Sequence, residues 1–175
     1  MNGNARRRSL KMKEREIAID WKGPFSLDQI IDAMDNGGQS PTWEGEDYGL
    51  YQIYGGHELY GKGTLLYVGQ TTEQTFSQRF KEHQNWLEED LNGKEVEIYL
   101  GRIYDPKKHS PEDNWESWKR DVEIAEKIII HRYSPSYNGK SLSKEPTSEK
   151  IRLIHMGQRG RLRDRDIVPK RYHER

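Results

Sequence analysis

Two runs rich in strand-forming residues, Tyr48–Tyr54 and Thr64–Val68, are separated by only nine residues, four of them glycine. A parallel crossover needs a dozen or more residues, so the runs are expected to pair antiparallel, as a hairpin with an extended loop over 55–63. In the first run Leu50, Gln52 and Tyr54 point one way and Tyr51 and Ile53 the other. A third strand is expected near Glu95–Ile103, where Val96, Ile98 and Leu100 share a face. Between the second and third strands, Thr75-Phe76-Ser77-Gln78 has the capping-box pattern and opens a helix over 76–91. Its apolar stripe is Phe76, Phe80, Leu87 and Leu91, with His83 inside it. After a loop at 104–114 with Pro106 and Pro111, the sequence predicts a long helix over 115–133. There Trp115, Trp118, Val122, Ala125 and Ile129 repeat at spacings of 3 and 4, a core-facing seam that Pro135 ends. Ser26-Leu27-Asp28-Gln29 opens a short earlier helix with Leu27, Ile30, Ile31 and Met34 on one side, halted at Gly37-Gly38. The order ββαβα indicates an α+β protein: a small antiparallel three-stranded sheet flanked by helices.

The rest of the chain reads as extensions of that unit. Residues 1–47 form a basic N-terminal extension with a short helix, disordered or weakly helical over 1–15. Residues 48–138 are the core, and 139–175 a linker and basic tail, with a short helix over 149–156. Formal net charge is zero, yet the balance is +5 over 1–15, +6 over 150–175 and −11 between. Two basic ends on an acidic body suit a polyanionic partner, most economically nucleic acid. Without cysteine, disulfides, thiolate metal sites and cysteine nucleophiles are excluded. No apolar run is long enough to span a bilayer and no secretory h-region opens the chain, so a cytoplasmic protein is expected.

Several polar residues fall where this geometry can gather them. Tyr51 lies in the first strand and Tyr67 at the end of the second. Arg79 and His83 share one helix face. Glu126 edges the buried seam of the long helix, and Asn138 follows its end. Each is compatible with a structural role when taken singly: sheet tyrosines, a core histidine, an Arg79–Glu126 ion pair, a turn asparagine. A carboxylate beside an apolar seam is nevertheless costly unless it is paired or binds a cation.

Taken in order, Gly49-Leu50-Tyr51, Tyr67-Val68-Gly69, Arg79 with His83 four residues on, and Glu126 with Asn138 twelve residues on (closing Pro135-Ser136-Tyr137-Asn138) resemble the GIY-YIG nuclease family over about 48–138. Leu50 and Val68 stand where the family name has isoleucine, and the loop between the tyrosine strands is longer.

That resemblance implies metal-dependent hydrolysis of a DNA phosphodiester. Glu126 would offer a carboxylate oxygen to one Mg²⁺ or Mn²⁺, which would stabilise the leaving 3′ oxygen. Arg79 would bind the phosphate as its charge grows in the transition state. A family-type assignment makes Tyr51 the general base with His83 as proton acceptor, although the sequence leaves open which tyrosine serves. Tyr67 would hydrogen-bond the water or phosphate, and Asn138 would steady the glutamate end of the site. No small-molecule cofactor is implied. With few residues outside the motif region, a compact type II restriction endonuclease, or a related phage or mobile-element nuclease, is expected, acting on double-stranded DNA. Cutting both strands would suit a homodimer. Arg6, Arg7, Arg8, Arg159, Arg161, Arg163, Arg165, Lys170 and Arg171 would grip the backbone. Base readout would come from 55–63, 104–114 or the tail. The alternative is a non-catalytic nucleic-acid-binding module on the same fold. His109, His131 and His155 lack zinc-ligand spacing.

Overall fold

The computed structural model describes residues 15–35, 48–89, 95–104, 115–139 and 149–168. Arg15–Phe25 forms a strand, β1, in which Ile17, Ile19 and Trp21 are buried while Glu16 is exposed. Helix α1 (Leu27–Asp35) follows, opened by a reciprocal pair: the Gln29 N–H donates to Ser26 Oγ and the Ser26 N–H to Gln29 Oε1. Strands β2 (Gly49–His57) and β3 (Gly61–Thr71) pair antiparallel. Both run almost to the tip, so the extended 55–63 loop reduces to a short turn over 58–60. Next come α2 (Phe76–Glu82), α3 (Gln84–Glu89), β4 (Glu97–Tyr104), α4 (Trp115–Tyr133), β5 (Ile151–Gly157) and β6 (Arg165–Val168). The helix expected over 76–91 is therefore two helices, parted at His83.

The six strands form one curled, mixed sheet, a half-barrel of order β3-β2-β4-β1-β5-β6. This corrects the expected small three-stranded antiparallel sheet flanked by helices. The three expected strands are present as β3-β2-β4, but β1, β5 and β6 double the sheet. β1 pairs antiparallel with β4 and parallel with β5, and β5 pairs antiparallel with β6. The helix expected over 149–156 is strand β5. Ile151, Ile154 and His155 satisfy a helical period, while Ile151, Leu153 and His155 satisfy a strand period. Pairing of Ile151–Gly157 with Arg15–Trp21 decides for the strand, with Ile151, Leu153 and His155 turned inward. The outer segments thus share the sheet with 48–138, and β1 lies at its interior.

Each face has its own apolar layer. On one, the α4 seam of Trp118, Val122, Ala125 and Ile129 packs with Ile17, Ile19, Trp21, Leu50, Val68 and Leu153. On the other, α1, α2 and α3 bring Leu27, Ile30, Phe76, Phe80 and Leu87 against Tyr51, Ile53, Leu66, Ile98 and Leu100. The curl carries the turn between β5 and β6 back over the hairpin, where the Arg161 N–H donates to Tyr54 Oη at 3.0 Å. Among the described residues no helix is long and apolar enough to cross a membrane.

Candidate active site

β3 is an edge strand, and at its end the two faces of the sheet meet. α4 approaches from one side and α2 from the other, and the Lys119 ammonium of α4 reaches the Glu73 carboxylate, in the turn before α2, at 2.7 Å. The chain leaving α4 completes the edge. Ser134 takes a left-handed conformation, φ 48°, and its N–H closes the helix on the Ile130 carbonyl. The Tyr137 N–H then donates to the Leu66 carbonyl at 2.9 Å. Asn138 grips the next residue: its Oδ1 accepts the Val68 N–H at 2.8 Å and its Nδ2 donates to the Val68 carbonyl at 2.9 Å. Its amide is thus committed to holding β3 between Tyr67 and Gly69, a positioning task.

The motif glycines have steric reasons. Gly49 sits at φ 152°, where a Cβ would collide with the Gly101 carbonyl of β4. Gly69 lies opposite Tyr51 in the β2–β3 ladder, and a Cβ there would fall on the Tyr51 Cζ and hydroxyl. The Tyr51 ring therefore lies across Gly69, stacked on Tyr67 (centroids 6.0 Å, planes 29° apart) and edge-on to Phe80 at 4.9 Å. An irregularity in the ladder between Ile53 and Tyr54 lets Leu66 and Tyr67 both pack against the α2 layer.

Tyr51 is fully buried, and its hydroxyl faces Arg79 and Tyr67 without a well-formed hydrogen bond to either. Burial holds its pKa well above the ordinary tyrosine range, and the neighbouring Tyr67 adds to the shift, while Arg79 pulls the other way. Tyr67 is less enclosed and also raised, first by burial and then by the Glu126 charge. Arg79, carried on α2 behind the Thr75 capping box, has its Nη1 3.3 Å from Glu82 and its Nε buried without a partner. Glu126 has no hydrogen bond or ion pair among the described residues. Burial pushes its carboxyl up to about 7, Lys127 and Arg79 restraining the shift and Glu123 reinforcing it.

Of the residues singled out in the sequence, Tyr51, Tyr67, Arg79 and Glu126 come together, Arg79 and Glu126 each bearing on the ionisation of both tyrosines. His83 caps the end of α2 and packs edge-on against Trp86 at 5.9 Å. Burial, and then Arg79, lowers its pKa, so it is neutral at pH 7, with Nε2 buried and unpartnered. It stands beside Arg79, and Tyr51 is not among the groups that shift its ionisation. Arg159, Arg161, Arg163 and Arg165 cluster in the β5–β6 turn and the start of β6, the last three exposed. Arg6, Arg7, Arg8, Lys170 and Arg171, the 105–114 segment and His109 lie outside the described residues.

Two contributors went unread in the sequence. The sequence places Phe80 only in a core stripe, yet in the structure it packs edge-on against the Tyr51 ring. Gln70, two residues beyond Val68 and so on the α4 side of β3, buries an unpartnered Oε1. Strand alternation from Val68 would have placed it.

The donor set suits one hard cation with a mostly external shell. Among the described residues no group of three or more His, Asp or Glu side chains converges, but Glu126 presents a half-buried carboxylate without a partner. Water and a phosphate oxygen would have to supply the remaining ligands, the usual habit of Mg²⁺. Compared with protein family models, curated proteins and solved structures, the chain has no match.

Proposed function

We propose that the protein is a metal-dependent DNA endonuclease of the GIY-YIG type, with Tyr51, Tyr67, Arg79 and Glu126 as its reacting cluster. One observation carries this reading. The Tyr51 hydroxyl and the Arg79 Nε are both buried without a well-formed hydrogen bond although Tyr51, Tyr67 and Arg79 face one another, next to a carboxylate that among the described residues has no hydrogen bond or ion pair. Buried polar groups are ordinarily satisfied, so such groups converging from three elements favour a ligand that completes them. A phosphodiester with its cation supplies what each lacks: oxygens for Arg79, positive charge for Glu126, and a water or phosphate oxygen for the tyrosine.

In that reading Glu126 holds Mg²⁺ or Mn²⁺, whose charge when bound stabilises the leaving 3′ oxygen and favours loss of nearby hydroxyl protons. Arg79 binds and orients the phosphate and meets the charge that grows on it. Tyr51 is neutral in the free protein, because burial opposes its ionisation. Arg79 favours the phenolate, and Tyr51 serves as base only after its own proton has passed to solvent, whereupon the phenolate takes the proton of the attacking water. Tyr67 orients the water from the adjoining ring position. Asn138 keeps β3, and with it both tyrosines, in register. The exposed arginines of the β5–β6 turn add sequence-independent affinity for double-stranded DNA. Type II restriction, a related phage or mobile-element role, and a homodimer serving both strands remain part of this proposal.

The test is incubation of supercoiled plasmid with purified protein and Mg²⁺ or Mn²⁺, with EDTA, Glu126→Ala and Arg79→Ala as controls. Metal-dependent cutting lost in both variants is expected. A folded protein that retards DNA on a gel but never cuts would replace this reading with the non-catalytic binding module.

A further inference from the structure

Aromatic rings continue outward from the tyrosine pair along the β3 edge. Tyr67 meets Trp86 at 5.5 Å, Trp86 meets Tyr137 at 6.1 Å, Tyr137 meets His57 at 6.4 Å, and His57 stacks on Tyr60 at 4.7 Å. The row leads from the reacting cluster to the tip of the β2–β3 hairpin. His57, Tyr60 and Tyr137 belong to neither apolar layer, and Tyr60 and Tyr137 are 71% and 46% exposed. Exposed aromatic surface of this kind, aligned rather than scattered, asks for a partner with flat apolar faces.

The outer end is built to hold its shape. His57 Nδ1 accepts the Leu59 N–H at 3.2 Å and the Tyr60 N–H at 3.3 Å, so the imidazole locks the turn on which it stacks. The Thr64 hydroxyl donates to the Gly61 carbonyl across the same turn. The Tyr137 backbone is fixed to β3 through Leu66. The rings are therefore presented with little ordering left to do on binding.

We infer that this row is a stacking track for the unpaired bases of a DNA strand whose phosphate is held at Arg79, and that the preferred substrate carries a single-stranded arm beside the cut. Bases within a duplex have both faces covered by their neighbours, whereas an unpaired base offers a face to an aromatic ring. The position of the scissile phosphate, and hence the inner end of the track, rests on the endonuclease reading. The stacking itself can be measured without chemistry.

Fluorescence anisotropy in EDTA compares three labelled probes: a short oligothymidine, a blunt duplex, and that duplex bearing an unpaired thymidine arm. The wild-type protein is expected to bind the armed duplex more tightly than the blunt one. Tyr60→Ala combined with Tyr137→Ala should weaken the armed duplex by about tenfold or more and change the blunt duplex by less than about twofold. Tyr60→Trp combined with Tyr137→Phe should restore the arm's advantage, which separates stacking from a damaged fold. Equal losses on both duplexes, no loss on the armed duplex, or no rescue by the aromatic pair would each overturn the track. Plasmid cutting without aromatic-dependent arm binding removes the track and leaves the endonuclease. Aromatic-dependent arm binding by a protein that never cuts removes the endonuclease and leaves the track.

Discussion

Two buried polar clusters lie at opposite ends of the sheet and are built on opposite terms. At the β5–β6 end, the Trp21 indole donates to His155 Nδ1 at 3.1 Å. Indole can only donate, so the imidazole proton sits on Nε2 and points to Asp166 Oδ2, 3.2 Å away. The Tyr133 hydroxyl donates to the same oxygen at 2.7 Å and itself accepts the Arg163 N–H at 2.9 Å, while Arg132 stands 3.5 Å from the other carboxylate oxygen. This network ties β1, α4, β5 and β6 together, and it gives His155 a structural task. At the β3 end, the Tyr51 hydroxyl and the Arg79 Nε face each other without a well-formed hydrogen bond, and among the described residues the Glu126 carboxylate has neither a hydrogen bond nor an ion pair. The first cluster spends its polar groups on the fold; the second holds them in reserve, at a cost to stability. Buried charge alone would not separate the two, nor would a single unpaired atom, since Asp166 Oδ1 also lacks a hydrogen bond and has only the Arg132 charge at 3.5 Å. What differs is that the Asp166 carboxylate is held by His155 and Tyr133 through its other oxygen, whereas Glu126 is held by nothing among the described residues.

The largest effect expected from this contrast is at Glu126. Glu126→Gln should lower plasmid cleavage by about 10³-fold or more in a gel time course. It should also stabilise the protein. The folded carboxyl is raised from 4.5 to about 7, so ionising it costs stability as pH climbs through that window, and the cost is complete above it. Urea titration at pH 8 should find the variant more stable by up to about 3 kcal/mol, the difference vanishing below pH 4. A variant less stable at pH 8 would mean that Glu126 is paired after all.

Gly69→Ala comes next. Its Cβ would displace the Tyr51 ring. Single-turnover cleavage should fall by about 10²-fold, with Mn²⁺ affinity measured calorimetrically unchanged, because Glu126 is untouched. Lost metal affinity would show that Tyr51 and Glu126 are less independent than their separate elements suggest.

At the other cluster, Asp166→Asn should cost about 2–4 kcal/mol in urea unfolding and leave the cleavage rate per folded molecule unchanged. Asp166 is held below the ordinary aspartate range: burial opposes this, but His155, Tyr133 and Arg132 outweigh it. Its contribution is therefore present above the unfolded-state value and disappears as pH falls through the lower folded one, so acid unfolding should begin at higher pH in the variant. A catalytic defect larger than the stability loss would break the division between the clusters.

The smallest effect is the pH profile of cation binding by the intact protein. If the endonuclease reading holds, Glu126 must ionise to hold its cation, so Mn²⁺ affinity should fall about tenfold per pH unit below 7 and level off above it. A profile flat from pH 5 to 8 would put the cation elsewhere.

Much of the site was legible because its spacings are local. The seam of α4 places Glu126 beside the core, the Thr75 capping box sets the start of α2 and so the face bearing Arg79, and β2 alternation separates Tyr51 from Leu50. The role of Gly69 was not legible, because it depends on which residue of the neighbouring strand the ladder sets opposite it. The second half of the sheet was hidden for a different reason. Ile17, Ile19 and Trp21 alternate as a strand does, but no strand is expected from the sequence before Tyr48, and they fall within the N-terminal extension. Ile151 to His155, by contrast, fits helix and strand equally, and only a partner can choose.

By itself, then, the sequence determined the hairpin, the capped helices, the long seam and the order of the tyrosine, arginine and glutamate positions, since each follows from backbone geometry within a few residues. The tertiary structure decided that six strands share one curled sheet, that Asn138 spends its amide on Val68, that His155 is structural, and that the Tyr51 hydroxyl, the Arg79 Nε and the Glu126 carboxylate come together without well-formed hydrogen bonds. Those outcomes depend on pairing between segments far apart in the chain, and on which polar groups find partners after burial. Local periodicity carries no record of either.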